Sequence, residues 1–153
     1  MSNVVDESRT TAIGLWTDAK DMLAAAEALM QQQAKSSREH MRLLSPTYFL
    51  LGHGIEVSLK SVLLANGSSL DELRKNLGHD LDKAVERVIA LDLDPRSGFV
   101  ASNASRVQML NPYYRAKVFE YRVTGTMRLP PEGEIAALLF GLVKLTTPKL
   151  EKK

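Results

Sequence analysis

The feature that most constrains this fold is one long stretch that is apolar on almost every side. It runs from Ser45-Pro46, which is a typical helix start, to Asn66-Gly67, which is a typical helix end. A helix that is apolar all round belongs at the centre of a bundle, with other helices around it. The sequence therefore predicts a helical protein built around this segment.

Amphipathic helices are predicted on both sides of the central segment. Before it, apolar residues recur at steps of three and four from Ala12 to Met30, so a long helix is expected to reach about Lys35. The polar stretch Ser36–Arg42 is expected to form a turn. After the central segment, helices are expected from Ser69 to about Asn76, from Leu81 to about Leu91, over Ser97–Leu110 up to the stop at Asn111-Pro112, and over Pro131–Pro148. An ordered loop is expected over Lys117–Thr124.

Length and composition agree with one all-α domain. The chain has 153 residues, 44% of them hydrophobic and 25% charged, which suffices for one hydrophobic core but not for two domains. We expect a single domain over residues 1–153, with an ordered core over about 8–148, arranged as an up-and-down bundle of four main helices plus a short helix. The net charge of +2 excludes a strongly basic protein, and the absence of cysteine excludes disulfides and thiolate chemistry.

No segment is expected to enter a membrane. The N-terminal residues lack the basic start and the apolar core of a signal peptide. The two most apolar stretches are Tyr48–Leu64, which is interrupted by polar residues, and Ile135–Leu145, which is too short to cross a bilayer. A cytoplasmic protein is the expectation.

Two short motifs carry a family resemblance. One is Glu56-x-x-x-Lys60 on the central helix, and the other is Gly78-His79-Asp80-Leu81 at the start of a later helix. Together they resemble the HEPN superfamily (higher eukaryotes and prokaryotes nucleotide-binding), whose members are all-helical. The resemblance covers about Ser45–Val88, and elsewhere it extends only to the order of the helices. It implies an association with RNA and with toxin–antitoxin or defence systems.

A homodimer is expected on two grounds. The HEPN resemblance implies one, since members of that family commonly pair. The first helix also carries small residues, Ala24, Ala25 and Ala28, beside its core stripe, and such a surface allows a second helix to approach closely.

The polar residues of the two motifs have two interpretations. Glu56 and Lys60 stand in the favourable order for an i, i+4 ion pair, and His53 lies one turn before Glu56. His79, at a helix start, is expected to turn inward and to hydrogen-bond a core partner such as Glu56. With Asp80, these residues form either a polar brace inside the bundle or a pocket for a nucleotide or another small molecule. No metal ion or other cofactor is expected.

A metal-independent ribonuclease is the alternative that the family resemblance adds. HEPN ribonucleases resemble one another in an Arg-x(4–6)-His motif that activates a ribose 2′-hydroxyl, and Arg74 and His79 match that spacing. By this resemblance His79 would be the general base and Arg74 the cation near the phosphate. Gly78 lies between them and leaves their relative orientation open. We expect no cleavage of generic RNA that depends on His79.

Basic and aromatic residues concentrate in the later part of the chain, a pattern that suits contacts with phosphates and bases. The candidates for nucleic-acid contact are Arg106, Arg115, Lys117, Tyr121 and Arg122. The alternative is an irregular loop whose tyrosines pack on the bundle while its arginines stay in water. The leading hypothesis is a non-enzymatic interaction module, associated with RNA or with an antitoxin-like partner protein.

Overall fold

A computed structural model describes residues 9–121 and 125–150. Every regular element in these ranges is helical, which confirms the predicted all-α class. The elements are α1 (Ala12–Gln33), α2 (Ser37–Ala65), α3 (Leu70–Glu72), a π-helical turn (Leu73–Leu77), α4 (Leu81–Ala90), α5 (Arg96–Ser102), α6 (Ala104–Arg115) and α7 (Glu132–Leu150). Three of these helices are long and the others are shorter, so the expected set of four main helices and one short helix is too simple.

Helix α2 begins well before the predicted start at Ser45-Pro46. Ser36 is its N-cap, and the Ser36 hydroxyl accepts a hydrogen bond from the backbone N–H of Glu39 at 3.1 Å. Serine followed three residues later by glutamate is a capping box, so the helix start was present in the stretch predicted to be a turn. Pro46 lies inside the helix, and next to it the Thr47 hydroxyl donates to the Leu43 carbonyl at 2.7 Å. The predicted turn and the predicted helix start are both wrong.

The end of α2 lies where the sequence predicts it. Gly67 has a φ of 107°, which favours glycine, and follows the C-cap Asn66. The N–H groups of Gly67 and Ser68 donate to the carbonyls of Leu64 and Leu63. This pair of bonds is a Schellman motif, and it satisfies carbonyls that the helix end leaves without partners.

The predicted helix over Ser97–Leu110 is two helices. The chain breaks at Asn103, whose side-chain amide donates to the Phe99 carbonyl at 2.8 Å and so caps α5 with a side chain. The predicted stop at Asn111-Pro112 is also wrong, because α6 continues to Arg115 with Pro112 inside it. Asn111 and Tyr114 are both buried, and their tertiary contacts hold this last turn in helical form.

Helices α1, α2 and α7 form the centre of the fold. The Trp16 indole N–H donates to the Val143 carbonyl at 2.9 Å, and the Gln33 amide donates to Glu132 at 2.8 Å, so α1 and α7 run antiparallel. Helix α7 packs closely on α2 at Gly54, where a Cβ atom would lie 2.5 Å from a methyl carbon of Leu139. The hydrophobic core lies between these helices and α4, α5 and α6.

Helix α2 is long and apolar enough, by length and composition alone, to cross a membrane, with a mean hydropathy of 1.2 over its most apolar window. The sequence argument had excluded this for Tyr48–Leu64. In the structure, 67% of that window is buried against the rest of the protein. Such burial is what the predicted central helix of a bundle requires.

Candidate functional site

The polar stripe of α2 faces the start of α4 and the end of α6. Glu56 lies at the centre of this arrangement and is buried, with 4% of its surface exposed. Its Oε1 accepts hydrogen bonds from the Tyr114 hydroxyl at 2.7 Å and from His79 Nδ1 at 2.9 Å. Its Oε2 accepts from Lys60 Nζ at 3.0 Å. We refer to Glu56, Lys60, His79 and Tyr114 as the Glu56 cluster.

The Glu56 cluster keeps its carboxylate ionised. Burial alone raises the pKa of a carboxyl group, because it disfavours the charged form. The charge of Lys60 and the hydrogen bonds from His79, Tyr114 and Lys60 outweigh that effect, and the pKa of Glu56 lies below its ordinary value. Burial and the neighbouring Glu56 charge both raise the pKa of the Tyr114 phenol, so its hydroxyl remains a donor.

An ionised carboxylate fixes the proton position on His79. Because the carboxylate of Glu56 can only accept, Nδ1 of His79 carries the proton that joins them. When the imidazole is neutral, Nε2 is then the nitrogen with the lone pair, and no side chain within 9–121 or 125–145 hydrogen-bonds it. The predicted bond to Glu56 is present, but 56% of the His79 side chain is exposed, so the ring is not turned fully inward.

Lys60 fixes the turn that precedes His79. In addition to Glu56, its ammonium group donates to the Gly78 carbonyl at 2.6 Å. Gly78 has a φ of 52°, which favours glycine, and this conformation turns the chain from the π-helical segment into α4. The sequence suggested that Gly78 leaves the orientation of His79 open. In the structure, the bond from Lys60 fixes the backbone at Gly78.

Tyr114 reaches Glu56 because α2 carries a glycine at the crossing point with α6. A Cβ atom on Gly52 would lie 2.5 Å from Cδ1 of the Tyr114 ring, so any larger residue would displace the ring. The Tyr114 hydroxyl gives its proton to Glu56, and its oxygen then accepts from His53 Nδ1 at 3.2 Å. The His53 ring stacks on Phe49 with 5.8 Å between centroids.

A second network connects the start of α4 to α6. The Asp80 carboxylate caps α4 by accepting from the N–H groups of Asp82 and Lys83. Asn111 is buried between the helices, where it accepts from the Leu81 N–H at 2.9 Å and donates to Asp80 at 3.0 Å. Burial raises the pKa of Asp80, but the hydrogen bonds from Asn111 and from the N–H groups of Lys83 and Asp82, together with the nearby charge of Arg115, outweigh it and lower that pKa.

Arg115 connects this network to the surface. Its guanidinium lies 3.3 Å from Asp80 Oδ2, and 59% of its side chain is exposed. Because Asp80 follows His79 in the chain, this ion pair joins Arg115 to the segment that carries the exposed ring of His79.

Sequence reasoning missed Asn111 and Tyr114 as site residues. On one helix, positions 111, 114 and 115 share a face, since residues three and four apart are neighbours. That face was hidden by the prediction that Asn111-Pro112 ends the helix. The side chain of asparagine can accept from a backbone N–H and donate to a carboxylate at once, and this property was the only sequence signal left for Asn111.

Arg74, the predicted partner of His79 in catalysis, lies in the π-helical turn and is exposed. The carboxylate Glu56, and not a cation, holds the His79 ring. Within the described residues, no group of three or more metal-ligating side chains is arranged to hold a metal ion.

The candidates for nucleic-acid contact do not form one group. Arg106 lies nine positions before Arg115 on α6, which places it on the opposite face of an ideal helix. It pairs with Glu134 of α7 at 3.5 Å. Arg115, Lys117 and Tyr121 lie together at the end of α6 and in the turns that follow, whereas Arg122 is outside the described residues.

Comparisons of the chain with protein-family models, with curated proteins and with solved structures find no match.

Proposed function

We propose that the protein is a HEPN-like, non-enzymatic binding module for single-stranded RNA. The binding surface is the end of α6 with the following turns, extended by His79. The observation that carries this proposal is the exposure of a cation and an aromatic ring in one short segment. Arg115 is 59% exposed and Tyr121 is 68% exposed, and Lys117 lies exposed between them.

The chemistry of this segment suits RNA without depending on its base sequence. Arginine and lysine attract phosphates, and an exposed tyrosine ring offers a face on which an unpaired base can stack. Asp80 holds the Arg115 guanidinium in place, so less side-chain entropy is lost when a phosphate approaches. The Glu56 cluster then acts as the internal support that positions α4 and α6.

The test is the binding of a labelled single-stranded oligoribonucleotide, measured by fluorescence anisotropy over a range of salt concentrations. We expect Arg115→Ala and Tyr121→Ala each to weaken binding several-fold. Arg115→Ala should also reduce the slope of log Kd against log salt by about 0.7, which corresponds to one lost phosphate contact on a single strand.

Arg106→Ala is the matched control, because Arg106 lies on the same helix and is also paired with a carboxylate. It should leave the affinity and the salt dependence unchanged. Equal losses in Arg106→Ala and Arg115→Ala, or no binding of RNA at low salt, would contradict the proposed surface.

The Glu56–His79 hydrogen bond favours a second candidate, a metal-independent ribonuclease. A histidine held through Nδ1 by a carboxylate presents Nε2 as a proton acceptor, which is the arrangement of a general base. We nevertheless expect no such activity, because the carboxylate that holds His79 is also bound by Lys60 and Tyr114, which favours a structural role for the whole network.

Incubation of RNA with the wild type in a chelator, with His79→Ala and with His40→Ala as the control, distinguishes the two functions. His40 is exposed on α2 and belongs to neither network. Cleavage that is lost only in His79→Ala, while all three proteins remain folded, would establish the ribonuclease instead of the binding module.

We also propose that two copies pair through the outer face of α1. Ala24, Ala25 and Ala28 are exposed there, so the small-residue face is uncovered in the single chain. Sedimentation over a dilution series should give about twice the chain mass of 16.9 kDa at micromolar concentration. A constant mass equal to one chain would disprove this assembly.

A further inference from the structure

A groove lies between the first turns of α2 and the turn after α6, away from the Glu56 cluster. Its lining comes from α2 and from residues 119–120, and consists of Arg38, Met41, Arg42, Ser45, Pro46, Phe119 and Glu120. We call it the arginine groove. Its volume of about 650 Å³ is within the range of small-ligand and peptide side-chain pockets. Phe119 is fixed at its base by stacking on Tyr48, with 5.6 Å between the ring centroids.

The two arginines of the groove differ in how their charges are paired. Arg38 and Arg42 are one helical turn apart, so their like charges repel each other. Arg38 also lies in the first turn of α2, where the helix dipole is positive and disfavours a cation. Arg42 pairs with Glu39 at 2.7 Å, but no carboxylate within the described ranges pairs with Arg38. Among the described residues, Arg38 therefore offers the groove a guanidinium that no carboxylate neutralises, which favours an occupant with a carboxylate at that point.

Apolar surface lies beside this positive charge. Met41 is 74% exposed, the largest exposed fraction among the large apolar side chains that the structure describes. Methionine is flexible and polarisable, and it is often used on surfaces that bind peptide side chains. An occupant with carboxylates for Arg38 and Arg42 and an apolar side chain for Met41 would complement both features.

The groove suits a peptide better than RNA. Its one aromatic residue, Phe119, is 9% exposed and already stacks on Tyr48, so its ring offers little surface to a base. Glu120 in the lining and Glu39 beside Arg42 leave few positions for an anion, so RNA, which carries a phosphate at every nucleotide, fits less well than a peptide that places one or two carboxylates at the arginines and neutral groups elsewhere. With a peptide, Glu120 and Ser45 can instead accept hydrogen bonds from backbone N–H groups.

We propose that the arginine groove docks an acidic peptide segment of a partner protein, with an apolar side chain on Met41 and flanking carboxylates on Arg38 and Arg42. The arginine groove uses other side chains than the RNA surface but adjoins it, because Phe119 and Glu120 lie between Lys117 and Tyr121 in the same turn. It would give the protein a second partner that binds at the opposite end of α2 from the Glu56 cluster.

The probe is a short labelled peptide of otherwise neutral residues in which one leucine has a glutamate on each side, compared by anisotropy with the same peptide carrying lysines for glutamates. We expect the full chain to bind the acidic peptide and not the basic one. Arg38→Glu and Met41→Gln should each weaken binding by about three- to tenfold, corresponding to the loss of one contact at an exposed site. Both residues are exposed, so neither variant should unfold the protein.

Arg87→Glu on α4 and Met109→Gln on α6 are the matched controls, since they make the same changes on exposed residues outside the groove. They should bind the acidic peptide as the wild type does. Equal binding of both peptides, equal losses in the controls, or no peptide binding at millimolar concentration would overturn the proposal. Displacement of the peptide by single-stranded RNA, with RNA affinity lost in the Arg38 and Met41 variants, would assign the groove to nucleic acid.

Discussion

The two ends of α2 handle charge in opposite ways. At the Glu56 cluster, a buried carboxylate accepts hydrogen bonds from three donors on three segments of the chain. At the arginine groove, exposed Arg38 has no carboxylate partner among the described residues and lies at the unfavourable end of the helix dipole. The first arrangement stabilises the fold, whereas the second costs stability unless a carboxylate of the proposed peptide pairs with Arg38. This difference makes the stability of variants a way to separate structural charges from binding charges.

The largest expected loss of stability comes from removing the buried carboxylate of Glu56. Glu56→Ala leaves Lys60, His79 and Tyr114 without their shared acceptor and Lys60 as a partly buried charge without its carboxylate. Removing one partner of a buried ion pair costs about 3–5 kcal/mol in the free energy of unfolding. Denaturant titration should show this loss, and Glu86→Ala, at an exposed position of α4, should change little. A loss below about 1 kcal/mol would mean that the Glu56 cluster does not stabilise the bundle.

The next largest loss of stability is expected at Gly52, where the close crossing of α2 and α6 allows Tyr114 to reach Glu56. Gly52→Ala places a Cβ atom 2.5 Å from the Tyr114 ring, so the ring must move away from Glu56. We expect a cost of about 1–3 kcal/mol, typical of overpacking in a core. Gly133→Ala is the control, because a Cβ atom there meets nothing within 4 Å and alanine favours a helix. Equal stabilities of the two variants, measured by thermal unfolding, would show that the α2–α6 crossing can adjust freely.

Acidification should weaken the same region. The pKa of Glu56 is lower in the folded chain than its ordinary value of 4.5, so the unfolded chain binds more protons as the pH falls below that value. The stabilisation is complete above pH 4.5 and is lost as the pH falls through the lowered pKa of the folded protein. Melting temperatures measured from neutral pH downwards should fall in this range, and Glu56→Gln should show a shallower fall. Parallel curves for the two proteins would remove Glu56 as a source of the acid sensitivity.

Local signals in the sequence predicted much of the fold and part of the site. The helix expected from Ser69 begins there, with the Ser69 hydroxyl accepting from the Glu72 N–H at 3.1 Å, and α4 begins at Leu81 as expected. The predictions failed where proline was taken as a helix boundary. Pro46 and Pro112 both lie inside helices, because tertiary packing around Thr47 and Tyr114 outweighs the hydrogen bond that each proline removes.

The wrong helix boundaries at Pro46 and Pro112 also limited how much of the site could be predicted. The Glu56–Lys60 pair follows from its i, i+4 spacing, and the bond to His79 was expected from the position of His79 at a helix start. Asn111, Tyr114 and the groove face of Arg38 required the true helix lengths, because residues share a helical face only if the helix continues through them. The contacts between α2 and α6 join residues about sixty positions apart, and no local pattern encodes such a distance.

The smallest expected change in the free energy of unfolding is at the other end of α2, at Arg38. Arg38→Glu replaces a cation in the first turn of the helix with an anion, which the dipole favours, and removes the repulsion with Arg42. We expect the free energy of unfolding to stay equal or to rise by about 0.3–1 kcal/mol, although the same variant should lose affinity for the acidic peptide. Denaturant titration at low salt measures the change, with Arg87→Glu as the charge-matched control. A destabilisation of Arg38→Glu comparable to that of Glu56→Ala would mean that Arg38 supports the fold, and would contradict a role for its charge in binding the peptide.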